Sequence, residues 1–173
     1  MVIEMDRIFS APVGQSTQPA ASYSPAMTSR PSEASIREAR GSLGRCIKNP
    51  AFLDCFYELF MASSEEIRKK FEATDFARQK KMLQDSLFVM LVAAGTTSGP
   101  AHRELEKLAD RHGRNQLGIK PEWYDIWLLS LLQAVAEHDP EYRPELAAAW
   151  RESLQDGIDM MRSRYWTREG ESR

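Results

Sequence analysis

A chain of 173 residues, 42% hydrophobic and 28% charged, has the size of one globular domain with a tail and enough apolar material for a core. Its formal net charge of -2 leaves no basic footprint for nucleic acid, and no apolar run reaches the roughly 20 residues that a membrane-crossing helix needs. Met1 to Phe9 carries Glu4 and Asp6 and lacks the basic-then-apolar pattern of a secretory signal, so cytoplasmic location is the expectation.

Residues 1–31 are rich in Ser, Pro and Ala and poor in charge, as in Ser10-Ala11-Pro12 and Arg30-Pro31. Such a segment buries too little surface to offset its ordering entropy, which predicts a disordered tail, with a start nearer Met27 as the alternative. Beyond it no stretch of useful length alternates apolar and polar residues as a half-buried strand does. Residues 33–48 place Ile36, Ala39, Leu43 and Ile47 on one helical face. Residues 50–62 hold Phe52, Phe56, Leu59 and Phe60, with Pro50 suited to a first helical position and Asn49 to its cap. Cys46 and Cys55 flank this boundary; two such residues set neither a disulfide framework nor a zinc site by themselves and read as reduced, partly buried thiols.

Ser63 and Glu66 form a Ser-x-x-Glu pair that predicts a short helix ending near Phe71. The next helix starts at Thr74 or Asp75 and runs to about Ala94, with Leu83, Leu87, Met90, Leu91 and Ala94 inward. Gly95 to Pro100 breaks the chain. A helix follows from Pro100 to about Arg114, with Leu105 and Leu108 inward. Pro121 opens another, to about Glu137, carrying Trp123, Trp127, Leu128, Leu131, Leu132 and Val135. Pro144 opens the last, to about Tyr165, with Leu146, Trp150, Leu154, Ile158 and Met161 at helical spacing. Residues 167–173 read as a C-terminal tail. About seven unequal helices with short connections fit steep crossings better than a plain up-down bundle.

Three histidines are candidate ligands. His102, beside Arg103 and Glu104, reads as a solvated surface residue, and His138, closing a helix before Asp139-Pro140, as a residue that complements the helix dipole. His112 follows Leu108 by four positions and so shares its inward face. Taken alone, a His on an apolar face is more often a satisfied core residue than a ligand.

The stretch Leu108-Ala109-Asp110-Arg111-His112, followed by Gly118-Ile119-Lys120-Pro121-Glu122-Trp123-Tyr124, resembles the end of the F helix and the start of the G helix in globins. Upstream, Phe56-Tyr57-Glu58-Leu59-Phe60, then Glu65-Glu66-Ile67-Arg68 and Phe71, resembles the B and C helices of bacterial haemoglobins and flavohaemoglobins, with Phe71 fourteen residues after Tyr57. The likeness extends over about residues 33–165 and includes Trp150. It implies an all-α globin domain at 32–166, with helices around a haem b pocket and His112 as the iron ligand. It also implies a Phe packed on the porphyrin at Phe71, and gas-facing residues at Tyr57, Gln79 and Leu83. The further lining it implies is Leu87, Leu108, Leu117, Ile119, Tyr124 and Trp127. Trp123 and Trp127, four apart, could share one stripe, but their placement reads rather as core packing for Trp127 and partial exposure for Trp123. A shift of one helical turn would put Leu83 rather than Gln79 over the iron.

Two departures from those relatives bear on activity. Tyr165 stands where flavohaemoglobins carry a Glu that completes a hydrogen-bonded set with the proximal His and a Tyr at the position of Tyr124, and the segment from His112 to Gly118 is about two residues longer. The implied function is reversible binding of O2, NO or CO, for oxygen transport or gas sensing, with no catalytic residue assigned. One alternative is an NO dioxygenase; the chain shows no Gly-rich dinucleotide motif, so that reading needs a separate reductase. The other is a haem-free globin-fold interaction module, with a signalling partner or a homodimer through an exposed helix face.

Overall fold

Residues 30–166 are described by the computed structural model. They form seven helices and no strand: α1 (Glu33–Cys46), α2 (Ala51–Ala62), α3 (Glu65–Lys70), α4 (Phe76–Ala93), α5 (Pro100–His112), α6 (Trp123–His138) and α7 (Pro144–Trp166). Of the expected N-terminal tail only Arg30 and Pro31 are described, and Pro31 is buried; the rest of it, and residues 167–173, lie outside the described residues.

Local chemistry sets most of the helix starts. Ser32 accepts from the amide of Ser35 and opens α1. Asp75 accepts from the amides of Ala77 and Arg78 and opens α4, while Pro100 begins α5 where its missing amide costs nothing. At α2 Pro50 takes the cap position rather than the first helical one, and Asn49, one residue earlier, accepts from Ala51 N through its Oδ1 at 3.1 Å. The cap of α3 is Ser64, not Ser63: Ser64 accepts from Glu66 N, while the Ser63 hydroxyl donates back to the Phe60 carbonyl and stays with α2.

The core gathers around α7, which packs against α1, α4, α5 and α6, while α2 lies on α6 and leads into α3. Trp150, Leu154, Ile158 and Leu146 of α7 are fully buried, as are Phe52, Phe56, Leu87, Leu131 and Val135. Burying side chains of this size stabilises the fold by roughly 1.5–3 kcal/mol each before entropy is counted. One buried polar cluster ties the helices at the far end. Asp139 accepts two bonds from Arg45 at 2.6 and 2.9 Å and one from Ser42 at 2.5 Å, and Trp150 Nε1 donates to the same Ser42 hydroxyl at 3.0 Å. Burial works against the Asp139 carboxylate, but Arg45, Ser42 and the Glu141 amide outweigh it and hold its pKa below the usual value. Among the described residues no helix is long and apolar enough to cross a membrane.

Candidate functional site

Two groups of the expected site residues are assembled by the fold, one on α2–α4 and one on α5–α6. In the first, Tyr57 is 4% exposed. Its ring meets Phe71 and Phe76 edge-on at 5.8 and 5.4 Å, and Phe71 in turn meets Phe60 at 6.0 Å. Such edge-to-face pairs favour one arrangement over free rotation. The Tyr57 hydroxyl donates to the main-chain carbonyl of Gln79 at 3.4 Å. Burial pushes the phenol up to about 12, against a smaller opposite effect of that bond, so it carries its proton at neutral pH. Gln79, in the first turn of α4, is half-buried; Leu83 and Leu87, one and two turns on, are buried on the same stripe.

In the second group, α5 ends on His112, whose Nδ1 lies 2.8 Å from the Leu108 carbonyl. A carbonyl only accepts, so Nδ1 carries the hydrogen and Nε2 keeps its lone pair. Burial lowers the His112 pKa and the Arg111 charge adds to that, with the Leu108 carbonyl acting in the opposite direction; the ring is neutral at pH 7. Tyr124 lies beside it, ring centroids 6.5 Å apart, and its buried hydroxyl has no hydrogen-bond partner. Trp127 packs edge-on to Phe56 at 6.1 Å, which brings α6 against α2.

The end of α5 is held from outside. Asp110 pairs with Arg164 of α7 at 2.8 Å. A Cβ on Gly113 would stand 3.0 Å from the Asp110 carbonyl oxygen and 3.2 Å from that of Arg164, so a side chain there would have to move α5 and α7 apart by a few tenths of an ångström. The chain then folds back: Ile119 N donates to the His112 carbonyl at 3.1 Å, and Gly118 takes φ +60°, which disfavours a side chain. Lys70 of α3 reaches across to the Leu117 carbonyl at 2.8 Å, and Lys120 pairs with Glu66 at 2.5 Å. These two bridges join α3 to the turn after His112. The Leu117 side chain is 45% exposed and Ile119 half-buried.

Two expectations are overturned. Trp123 is buried rather than partly exposed, 7% exposed with the Lys120 ammonium 5.8 Å over its ring, while Trp127 packs against the core as expected but is half-buried. Lys120 shields one face of Trp123, which periodicity alone cannot show. His102 is not a solvated surface residue: it is half-buried, its Nδ1 is shut off from solvent without a partner, and it lines a cleft of about 300 Å³ with Arg30, Asp156 and Met160. His138 does close a helix, and also bonds Asn49. Tyr165 lies under the Arg114 guanidinium at 5.9 Å. Phe76 and the α3 bridges went unrecognised in the sequence; for Phe76 the signal was an aromatic residue directly after the Asp75 cap.

Comparison with known proteins places the chain. The family model described as Globin matches residues 53–161. A solved structure from Pseudomonas aeruginosa PAO1, of a protein described as structurally highly homologous to a human hemoglobin, is 38% identical, with a TM-score of 0.72 and coverage of 77% of this chain and 99% of that one. No curated protein matches.

Proposed function

The chain belongs to the globin family, and on that premise we propose that it binds one haem b through His112 and takes up a diatomic gas reversibly, for oxygen binding and transport or for gas sensing. The observation that carries this reading is His112 itself. It is a neutral imidazole with Nδ1 engaged by the Leu108 carbonyl and the Nε2 lone pair left for a metal. The surroundings suit a flat apolar group: Phe71, Phe76, Leu108, Ile119 and Trp127 pack against the core yet stay partly exposed. The Tyr124 hydroxyl beside His112 is buried and unpartnered.

Haem iron would supply a coordination position for O2, NO or CO. The protein's own residues do the rest. The Leu108 carbonyl fixes the tautomer and plane of His112. Phe71, Leu83 and Leu87 exclude water, and Leu117 and Ile119 cover the pocket edge. Tyr57, protonated at neutral pH, and the Gln79 amide donate hydrogen bonds to a gas that carries partial negative charge. Each such bond is worth roughly 1.5–3 kcal/mol, enough to slow gas release by an order of magnitude or more. Slow release suits a sensor or scavenger better than a bulk carrier. Tyr165 stands where flavohaemoglobins carry the Glu that completes the set around the proximal His, which favours binding over NO oxidation with a separate reductase. Cytoplasmic location belongs to the same proposal.

The test is the absorption spectrum of the ferric, ferrous and ferrous-CO protein, for wild type and His112→Ala, with far-UV circular dichroism as a folding control. A Soret band that shifts with CO, lost or altered in the variant and restored by added imidazole, is expected. A folded helical wild type that takes up no haem, or an unchanged spectrum in His112→Ala, would overturn the reading.

A further inference from the structure

A second constellation lies where the first turns of α2 meet the end of α6. Cys55 of α2 and the adjacent Glu137 and His138 of α6 bring one ligand-capable atom each to within 4.8 Å of one another. The Cys55 thiol donates to Glu137 Oε2 at 3.3 Å. The His138 ring is held edge-on to Phe52 at 6.4 Å, and its Nδ1 lies 3.0 Å from Asn49 Nδ2. Asn49 is oriented independently, since its Oδ1 accepts from Ala51 N; the amide nitrogen therefore faces the imidazole and donates to it, so Nδ1 presents a lone pair. Asp139, next along the chain, is committed to Arg45 and Ser42 and takes no part.

We propose that Cys55, Glu137 and His138 form a binding site for a divalent cation of borderline softness, with Zn2+ as the best fit. One sulfur, one nitrogen and one oxygen are the mixed donor set that Zn2+ accepts, whereas Ca2+ and Mg2+ require oxygen alone. Zinc bonds of about 2.0–2.3 Å in a tetrahedron put ligand atoms roughly 3.3–3.8 Å apart, so a modest rotation of Glu137, the exposed member, closes the cluster. A water completes the fourth position. On binding, the cation displaces the Asn49 amide from Nδ1, and the thiol proton of Cys55 leaves to solvent. The thiolate and the Glu137 carboxylate together then balance the charge of the cation.

The ligands come from segments 82 residues apart in sequence, so the site exists only in the folded chain. Binding therefore stabilises the contact between α2, which carries Tyr57, and α6, which carries Tyr124. None of the three ligands belongs to the haem site, and the proposal stands whether or not haem is bound.

The experiment is equilibrium dialysis of the full-length protein against about 10 μM Zn2+, with zinc per chain read by elemental mass spectrometry, which separates it from haem iron. Wild type, Cys55→Ala, His138→Gln and Glu137→Gln are compared, with circular dichroism and the Soret spectrum as folding controls. One zinc per chain is expected in the wild type, with a melting temperature raised by about 3–5 °C. Affinity should fall at least tenfold in Cys55→Ala and His138→Gln, and less in Glu137→Gln. X-ray absorption at the zinc edge should show one sulfur neighbour at about 2.3 Å. No retained zinc in the wild type, or equal retention by folded Cys55→Ala and His138→Gln, would overturn the proposal.

Discussion

The Tyr57 hydroxyl and the Gln79 carbonyl are joined at 3.4 Å, the long edge of the hydrogen-bond range. The side chain proposed to meet the gas is thus restrained by a weak bond to the first turn of α4. On that proposal, removing the hydroxyl takes away little internal stabilisation and much of the interaction with a gas. The Tyr57→Phe protein is expected to unfold within about 1 kcal/mol of wild type and to release O2 roughly 10–100-fold faster. Stopped-flow O2 dissociation checks it, and wild-type rates in the variant would remove Tyr57 from the proposed role.

Tyr124 presents the opposite case, a buried hydroxyl with nothing to bond. Burial pushes its pKa above the ordinary tyrosine value, against a smaller opposite effect of the Arg162 charge. Tyr124→Phe deletes an unsatisfied polar atom and keeps the ring against His112. It is expected to be neutral or to stabilise the protein by up to about 1 kcal/mol in urea unfolding. A loss greater than that would mean that the hydroxyl has a partner in solution.

His112 sets a pH dependence of known sign. In the unfolded chain it takes up a proton near 6.5; in the folded protein burial holds its pKa lower. Below pH 6.5 the unfolded state binds more protons, so the His112 contribution is complete above that pH and is lost progressively as pH falls beneath it. Urea midpoints measured between pH 5 and 8 should drop on the acid side in wild type and less steeply in His112→Gln. Parallel profiles would contradict a neutral buried imidazole.

Asp139, at the end of α6, holds α1 through Arg45 and Ser42, and Ser42 in turn accepts from Trp150 of α7. The Asp139 side chain is fully buried, while that of Arg45 is 23% exposed, so solvent weakens the pair on one side only. Asp139→Asn should cost about 2–4 kcal/mol in denaturant unfolding and leave the Soret spectrum unchanged, because none of these residues lines the pocket. The folded-state pKa of Asp139 is lowered, so its contribution is present above pH 3.8 and disappears as pH falls through that lowered value. A variant as stable as wild type at pH 7 would show the cluster to be dispensable.

Seven helices were legible because their signals are local. Asn49, Asp75 and Pro100 act within one turn of themselves, and the 3.6-residue spacing of Leu83, Leu87 and Leu91, or of Trp150, Leu154, Ile158 and Met161, marks an inward stripe wherever the helix ends up. Where two adjacent residues could do the same work, as with Ser63 and Ser64, the local signal was ambiguous by one position, and the hydroxyl that found the Phe60 carbonyl dropped out. The inward placing of His112 was likewise legible from its spacing to Leu108, and the family likeness from the order of Tyr57, Phe71, His112 and Tyr124.

What periodicity could not supply is which residues meet across helices, because a stripe specifies a direction and not a neighbour. Only the folded chain decided that Trp123 is shielded by Lys120 while Trp127 stays half-exposed, that His102 faces a cleft, and that Lys70 holds the turn carrying Leu117. The same holds for Cys55, which alone implied no site and which acquires Glu137 and His138 as neighbours only when α2 lies on α6. Contacts within one turn follow from the backbone's own geometry; contacts between distant segments depend on how whole helix faces pack, and that is settled by the tertiary structure.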